Sequence, residues 1–168
     1  KVVLDSLFKS ENINHKKELI KVTMSSKQKS IHDNYMYQVN KLLAIAGNRA
    51  LTYAEKISLA AMQTKARMAS DGLLDKTEVP EKIKKIINII KQTNEKIVVF
   101  SEWKEFLTIL ENELDKLNIK SVRFDGELSA NKRNHIVEEF INNHAIRVFA
   151  STDAGGIGID GLQLVSSK

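Results

Sequence analysis

Residues 97–152 read IVVFSEWKEFLTILENELDKLNIKSVRFDGELSANKRNHIVEEFINNHAIRVFAST, and their alternation of short apolar runs with longer amphipathic stretches decides the fold. Ile97-Val98-Val99-Phe100 is wholly apolar, the form of a strand buried on both faces. Ser101 stands where it can cap the helix that follows, and Glu102 and Glu105 favour the positive end of that helix's dipole. Trp103, Phe106, Leu107, Leu110, Leu114 and Leu117 form its apolar stripe. Ser121-Val122-Arg123-Phe124 reads as a second strand and Asp125-Gly126 as its turn. Ser129 is placed to cap another helix, whose apolar face carries Ile136, Val137, Phe140 and Ile141, and residues 146–150 form a third strand. Strand, helix, strand, helix, strand at this spacing predicts two right-handed crossovers and a parallel sheet.

Upstream, the chain reads as helical. Pro80 suits the first turn of a helix, where its missing N–H costs nothing. Ile83, Ile86, Ile87 and Ile90 then share one face, with lysines largely elsewhere. Residues 52–69 and 34–49 carry apolar residues at helical spacing, ending at Asp71-Gly72 and Gly47-Asn48 respectively. Ile20, Val22 and Met24 alternate, which predicts a short strand within 18–24, and residues 10–17 read as a loop. The fold class is therefore α/β, a parallel sheet flanked by helices and preceded by an α-helical region.

Composition narrows the classes. A hydrophobic fraction of 42% and a charged fraction of 28% are those of a globular protein, and no apolar run approaches a membrane span. Cysteine is absent, so disulfides and thiolate metal sites are excluded and an intracellular setting is expected, the cytoplasm or nucleoid if bacterial. Residues 1–96 hold 18 Lys/Arg against 10 Asp/Glu, whereas 97–168 hold 8 against 11. A basic first half suits a polyanion such as DNA, and equally a set of solvated helix faces. His15, His32, His135 and His144 show no ligand spacing and are expected at the surface.

Ser151-Thr152-Asp153-Ala154-Gly155-Gly156-Ile157-Gly158-Ile159-Asp160-Gly161 directly follows the third strand. Ligands of open parallel sheets bind beyond the carboxyl ends of their strands. The glycines let backbone N–H groups come close to an anion, Thr152 offers a hydroxyl, and Asp153 and Asp160 offer carboxylates. A tight strand-to-helix turn would account for glycines alone. No Gly-Lys-Ser/Thr follows, so the run is not a Walker A loop.

STDAGGIGID (151–160) resembles motif V of superfamily-two helicases, and its Ala-Gly-Gly core is similar to that of the Swi/Snf-type ATPases. KIVVFSEW (96–103) resembles motif IV, and the block holding DGELS, Arg133, Ile136 and Phe140 resembles the one after it. MQTKARMASDGLL (62–74) looks like the family's leucine/arginine helix, and residues 20–35 resemble the passage from lobe one into the helical protrusion. The resemblance implies three parts: residues 1–33 as the end of lobe one and a linker, 34–79 as the protrusion, and 80–168 as an incomplete C-terminal RecA-like lobe.

It further implies that Thr152 and Ser101 bond a DNA backbone phosphate, while Arg133 touches phosphate or braces the motifs. Gly156, Gly158 and Asp160 would face the nucleotide. For Trp103 packing outweighs base contact, and Arg123 is expected to pair with an acid. ATP and Mg²⁺ are implied for an intact parent, with lobe one and double-stranded DNA as partners and no membrane. Two features depart from the pattern. Asp160 stands where the family usually has asparagine and matches the DEAD-box form, which leaves an RNA-helicase lobe open beside a non-catalytic binding module derived from such an ATPase. Walker motifs and motif VI are absent from the 168 residues, so this polypeptide alone is expected to bind and hydrolyse no ATP, and its sheet to keep an unpaired edge.

Overall fold

Four isoleucines on one face of residues 83–90 need an apolar wall, and the sheet supplies it. The computed structural model describes residues 18–126 and 128–152. In chain order it contains α1 (Ser26–Asn48), α2 (Tyr53–Ser70), α3 (Glu81–Gln92), β1 (Ile97–Ser101), α4 (Lys104–Lys116), β2 (Lys120–Phe124), α5 (Ala130–Asn142) and β3 (Ile146–Thr152). The strands are parallel and ordered β1-β3-β2, so the last strand in sequence lies between the first two. Val148 and Ala150 of β3 join Ile83, Ile87 and Ile90 of α3 and Phe106, Leu107, Leu110 and Leu114 of α4 in one core. Phe149, on the opposite face, packs with Phe124 and with Phe140 of α5, at ring-centroid distances of 5.6 and 5.2 Å.

Several local expectations change. The doubly buried strand is β3, whereas β1 pairs on one side among the described residues and leaves Phe100 53% exposed. An apolar run records that a strand packs against something, not whether both its edges are filled. Residues 18–24 join no sheet. The first helix starts at Ser26 rather than Asn34, capped by Ser25, whose Oγ accepts from the Gln28 N–H at 3.2 Å. Pro80 is the N-cap residue of α3 rather than part of its first turn. Ser101 continues β1, because it pairs in register with Thr152, and Trp103 takes the N-cap position of α4. Ser129 does occupy the N-cap of α5, without a side-chain bond to the helix. The loop read at residues 10–17 lies outside the described residues.

Helix ends are closed by chemistry the sequence already carries. Thr52 and Glu55 form a reciprocal capping box at the start of α2, and Arg49 grips both oxygens of Glu55 at 2.6 and 2.8 Å, which closes the α1–α2 turn. At the other end of α2, Gly72 adopts φ +80°, with its N–H bonded to Ala69 O and the Leu73 N–H to Met68 O, a Schellman arrangement. Leu73 is thereby turned into the core at 0% exposure. Asn118 at φ 57° ends α4 in the same way. Two cations, Arg147 in β3 and Lys96 just before β1, close further helix ends. Arg147 donates to Ile90 O and Thr93 O at the end of α3, and Lys96 donates to Ile141 O and Asn143 O at the end of α5.

Two outcomes follow. A Cβ at Gly72 would stand 2.7 Å from Pro80 Cβ, whereas one at Gly47 would meet nothing within 4 Å. Gly72→Ala is therefore expected to destabilise the fold by more than about 1 kcal/mol, since a left-handed backbone disfavours any side chain. Gly47→Ala, at an open helical position, should be neutral or gain up to about 1 kcal/mol. Urea unfolding of both variants checks the contrast, and equal losses would contradict it. Hydrogen bonds from Arg49 hold the Glu55 carboxyl down to about 2. The folded value lies below the unfolded one, so this contribution is complete above the ordinary glutamate range and is lost as pH falls towards 2. Carbon-detected NMR titration should find Glu55 still ionised at pH 3.5, and ordinary glutamate titration would contradict the bidentate pair.

Candidate nucleic-acid interface at the carboxyl end of the sheet

Register brings two of the residues singled out in the sequence together. In the parallel pair of β1 and β3, Ser101 is the partner of Thr152, so both hydroxyl side chains stand at the carboxyl ends of neighbouring strands. On the other side of β3, Phe124 of β2 is the partner of Ser151. Ser151 is fully buried, and its Oγ donates to Thr152 O at 3.0 Å. Thr152 is 6% exposed. The Oγ of Ser101 accepts the backbone N–H of Trp103 at 3.1 Å, which turns the chain sharply out of β1. Ser101 also lines an open cleft of about 430 Å³, together with Phe100, Lys82, Lys85 and Ile20.

Arg133, in the first turns of α5, folds back over the end of β2. Its Nη2 donates to Gly126 O at 3.0 Å, and its guanidinium carbon lies 5.8 Å from the Phe124 ring centroid. The buried Nε has no hydrogen-bond partner among the described residues. This geometry ties the Asp125-Gly126 turn to α5. Arg123 makes the predicted acidic pair twice over, with Glu111 at 3.1 Å and Asp125 at 3.2 Å, and also donates to Thr108 Oγ1 and Lys104 O. Burial raises the Glu111 carboxyl above its ordinary range, against the opposing pull of Arg123. The carboxyl end of the sheet is thus walled by a fixed ionic cluster behind β2 and offers hydroxyls at β1 and β3.

Trp103 is half-buried against the α3–α4 core, as its place on the stripe predicts. Its indole also makes a bond with no local signature: Nε1 donates to Asp71 Oδ2 at 2.8 Å, across 32 residues of chain. His135 and His144 are exposed, whereas His32 is half-buried beside Asp33, and His15 lies outside the described residues. So do Gly156, Gly158 and Asp160. Among the described residues no helix is long and apolar enough to cross a membrane.

Comparison with known proteins agrees with this architecture. The family described as "Helicase conserved C-terminal domain" matches residues 81–164. The chain is 35% identical over 95 residues to the ATP-dependent helicase fft3 of Schizosaccharomyces pombe, covering 56% of this chain and 10% of fft3. It thus spans about a tenth of the length of that curated relative. Its fold is similar to the Sulfolobus solfataricus SWI2/SNF2 ATPase C-terminal domain, with a TM-score of 0.67 at 20% identity, covering 79% of this chain and 61% of that one. It is likewise similar to the Sulfolobus solfataricus SWI2/SNF2 ATPase core in complex with dsDNA, with a TM-score of 0.64 at 21% identity, covering 78% and 29%. With three parallel strands in this order among the described residues, helices on both faces and residues 81–164 matched, the chain belongs to the helicase conserved C-terminal domain family, and its fold is similar to that of a SWI2/SNF2 ATPase C-terminal domain.

Proposed function

We propose that this lobe is part of an ATP-dependent motor that tracks double-stranded DNA, and that it grips the phosphate backbone at the carboxyl end of its sheet. The observation that carries the proposal is the register pairing of Ser101 with Thr152. Neighbouring strands lie about 4.8 Å apart, so two hydroxyls on adjacent strand ends are spaced to share one phosphate group or its flanks. Hydroxyl donors bond phosphate oxygens and read no base, which is what movement along any sequence requires. Arg133 acts as a brace in this reading, because its Nη2 is bonded to Gly126 O and its guanidinium lies beside the Phe124 ring. The dsDNA complex of a structural neighbour supports the choice of nucleic acid.

In this reading residues 34–79 are the helical protrusion and 80–168 the lobe, with 1–33 leading in from lobe one. Gly156, Gly158 and Asp160 face the nucleotide across the cleft between lobes. ATP supplies the driving reaction, and the phosphate cradle and Mg²⁺ ligands belong to lobe one, so the chain alone turns over no ATP. A DNA-tracking role places the protein inside the cell.

Thr152→Ala and Ser101→Ala should each weaken duplex binding by roughly tenfold, the scale of one hydrogen bond to a charged group, and by the same factor on unrelated sequences. A neutral hydroxyl displaces no counterion, so the dependence of log affinity on log salt should change by less than about one unit. Fluorescence anisotropy on two duplexes across a salt series measures both, and sequence-dependent losses would contradict the phosphate assignment. For the nucleotide side, Asp160→Ala in the intact protein should raise the KM for ATP and leave DNA affinity unchanged. Duplex DNA should also stimulate turnover more than single-stranded RNA. Stimulation by RNA alone would favour the RNA-helicase reading that Asp160 suggests.

A further inference from the structure

Asp71 ends α2, and its carboxylate is held from two sides. Oδ2 accepts the indole N–H of Trp103 at 2.8 Å, and Oδ1 pairs with Lys82 of α3 at 2.5 Å. One turn earlier on α2, Arg67 places its guanidinium carbon 5.6 Å from the Trp103 ring centroid and bonds Glu102 at 2.9 Å. The end of α2 therefore holds the indole by its face and by its N–H, while the rest of the ring packs on the α3–α4 core. Trp103 in turn donates its backbone N–H to Ser101 Oγ. A serine hydroxyl has one hydrogen and two lone pairs. With a lone pair engaged by Trp103, the remaining hydrogen is directed elsewhere, and no acceptor for it occurs among the described residues.

From this chain of contacts we infer that Trp103 is a positioning residue, through which the α1–α2 hairpin sets the orientation of the Ser101 hydroxyl. The inference rests on the reading of Ser101 as a phosphate donor. Its physical content is a short series of directional bonds: Asp71 fixes the indole, the indole fixes the backbone at 103, and that backbone N–H fixes Ser101. Packing holds the ring in its slot, and the N–H bond to Asp71 adds a directional tether at its rim. The hairpin is itself tied down beside this joint, with Gln28 of α1 donating to Ser70 O at 2.8 Å and Lys27 pairing with Asp75 at 3.2 Å. A shift of the hairpin relative to the sheet would therefore be felt at Ser101, and phosphate bound at Ser101 would favour one hairpin position.

Trp103→Phe keeps an aromatic ring under Arg67 but removes the N–H together with the pyrrole part of the indole. Asp71→Ala, which leaves the indole whole and deletes its acceptor, therefore separates the bond from the packing and should weaken duplex binding as Trp103→Phe does. Duplex affinity is measured for Trp103→Phe, Ser101→Ala and their double variant, and for Asp71→Ala, with Asp71→Asn as the variant that retains an acceptor oxygen. Trp103→Phe should bind roughly threefold more weakly than wild type, Asp71→Asn should bind like wild type, and the double variant should be no weaker than Ser101→Ala alone. Trp103 is the only tryptophan of the chain, so its indole N–H gives a single NMR resonance. That resonance should also move upfield in Asp71→Ala. Equal losses from Trp103→Phe in the presence and absence of the Ser101 hydroxyl would overturn the relay while leaving the phosphate reading intact. An unchanged affinity in Ser101→Ala would instead remove the phosphate reading, and the relay with it.

Discussion

Strand β3 is bonded along both edges and covered on both faces, and the rest of the lobe is arranged around that fact. From Val148 to Thr152 every residue is buried, so none of these backbone groups has water as a fallback, and each needs a strand beside it. The parallel partners on the two sides fix where the strand ends fall. Because Ser101 and Phe124 both line up with the last two residues of β3, three chain exits converge on one edge of the sheet. The faces are equally determined: Val148 and Ala150 require α3 and α4, and Phe149 requires the aromatic cluster with α5. Replacing Phe149 would remove contacts with two rings at once, at a cost of about 3–5 kcal/mol for truncation to alanine.

A buried central strand also constrains polar chemistry at its amino end. Arg147 is the single half-exposed residue between Ile146 and Thr152, and its guanidinium reaches back to carbonyls at and just beyond the end of α3. Lys96, just before β1, does the same for α5, and burial pulls its ammonium below the ordinary lysine range. These two cations satisfy helix-end carbonyls at the side of the sheet opposite the hydroxyl pair. The amino end is thus closed by charge on carbonyl, and the carboxyl end presents hydroxyls. That polarity suits a ligand rich in acceptor oxygens at the carboxyl end, consistent with the general behaviour of open parallel sheets.

Much of this was legible in the residues, and the failures have physical causes. The helices and strands from residue 81 onward follow from period and turn chemistry, which are local. The strand order does not, because Ile97–Phe100 and Val148–Ala150 are both short apolar runs and only the crossovers decide which one is flanked. Ser101 looked like a helix cap because serine favours that position, but pairing with Thr152 outweighed the local preference and carried the strand one residue further. Ile20, Val22 and Met24 alternate as a strand does, yet alternation needs a partner edge, and residues 18–24 have none in the described structure. The start of α1 was missed because residues 26–33 hold one apolar residue, and the buried member of that stretch is Gln28, held by Ser70 O rather than by packing. Of the candidate site, the hydroxyls were readable from motif resemblance, whereas the Asp71–Trp103 bond spans two elements and has no local signature.

The central claim is that the carboxyl end of this sheet holds a DNA phosphate between two strand ends. A structure of the intact protein bound to duplex DNA tests it most directly. The account predicts Ser101 Oγ and Thr152 Oγ1 each about 2.5–3.0 Å from non-bridging oxygens of one DNA strand, with no side chain of this lobe bonded to a base edge. Duplex seated elsewhere, with both hydroxyls bonded only to protein, would contradict it.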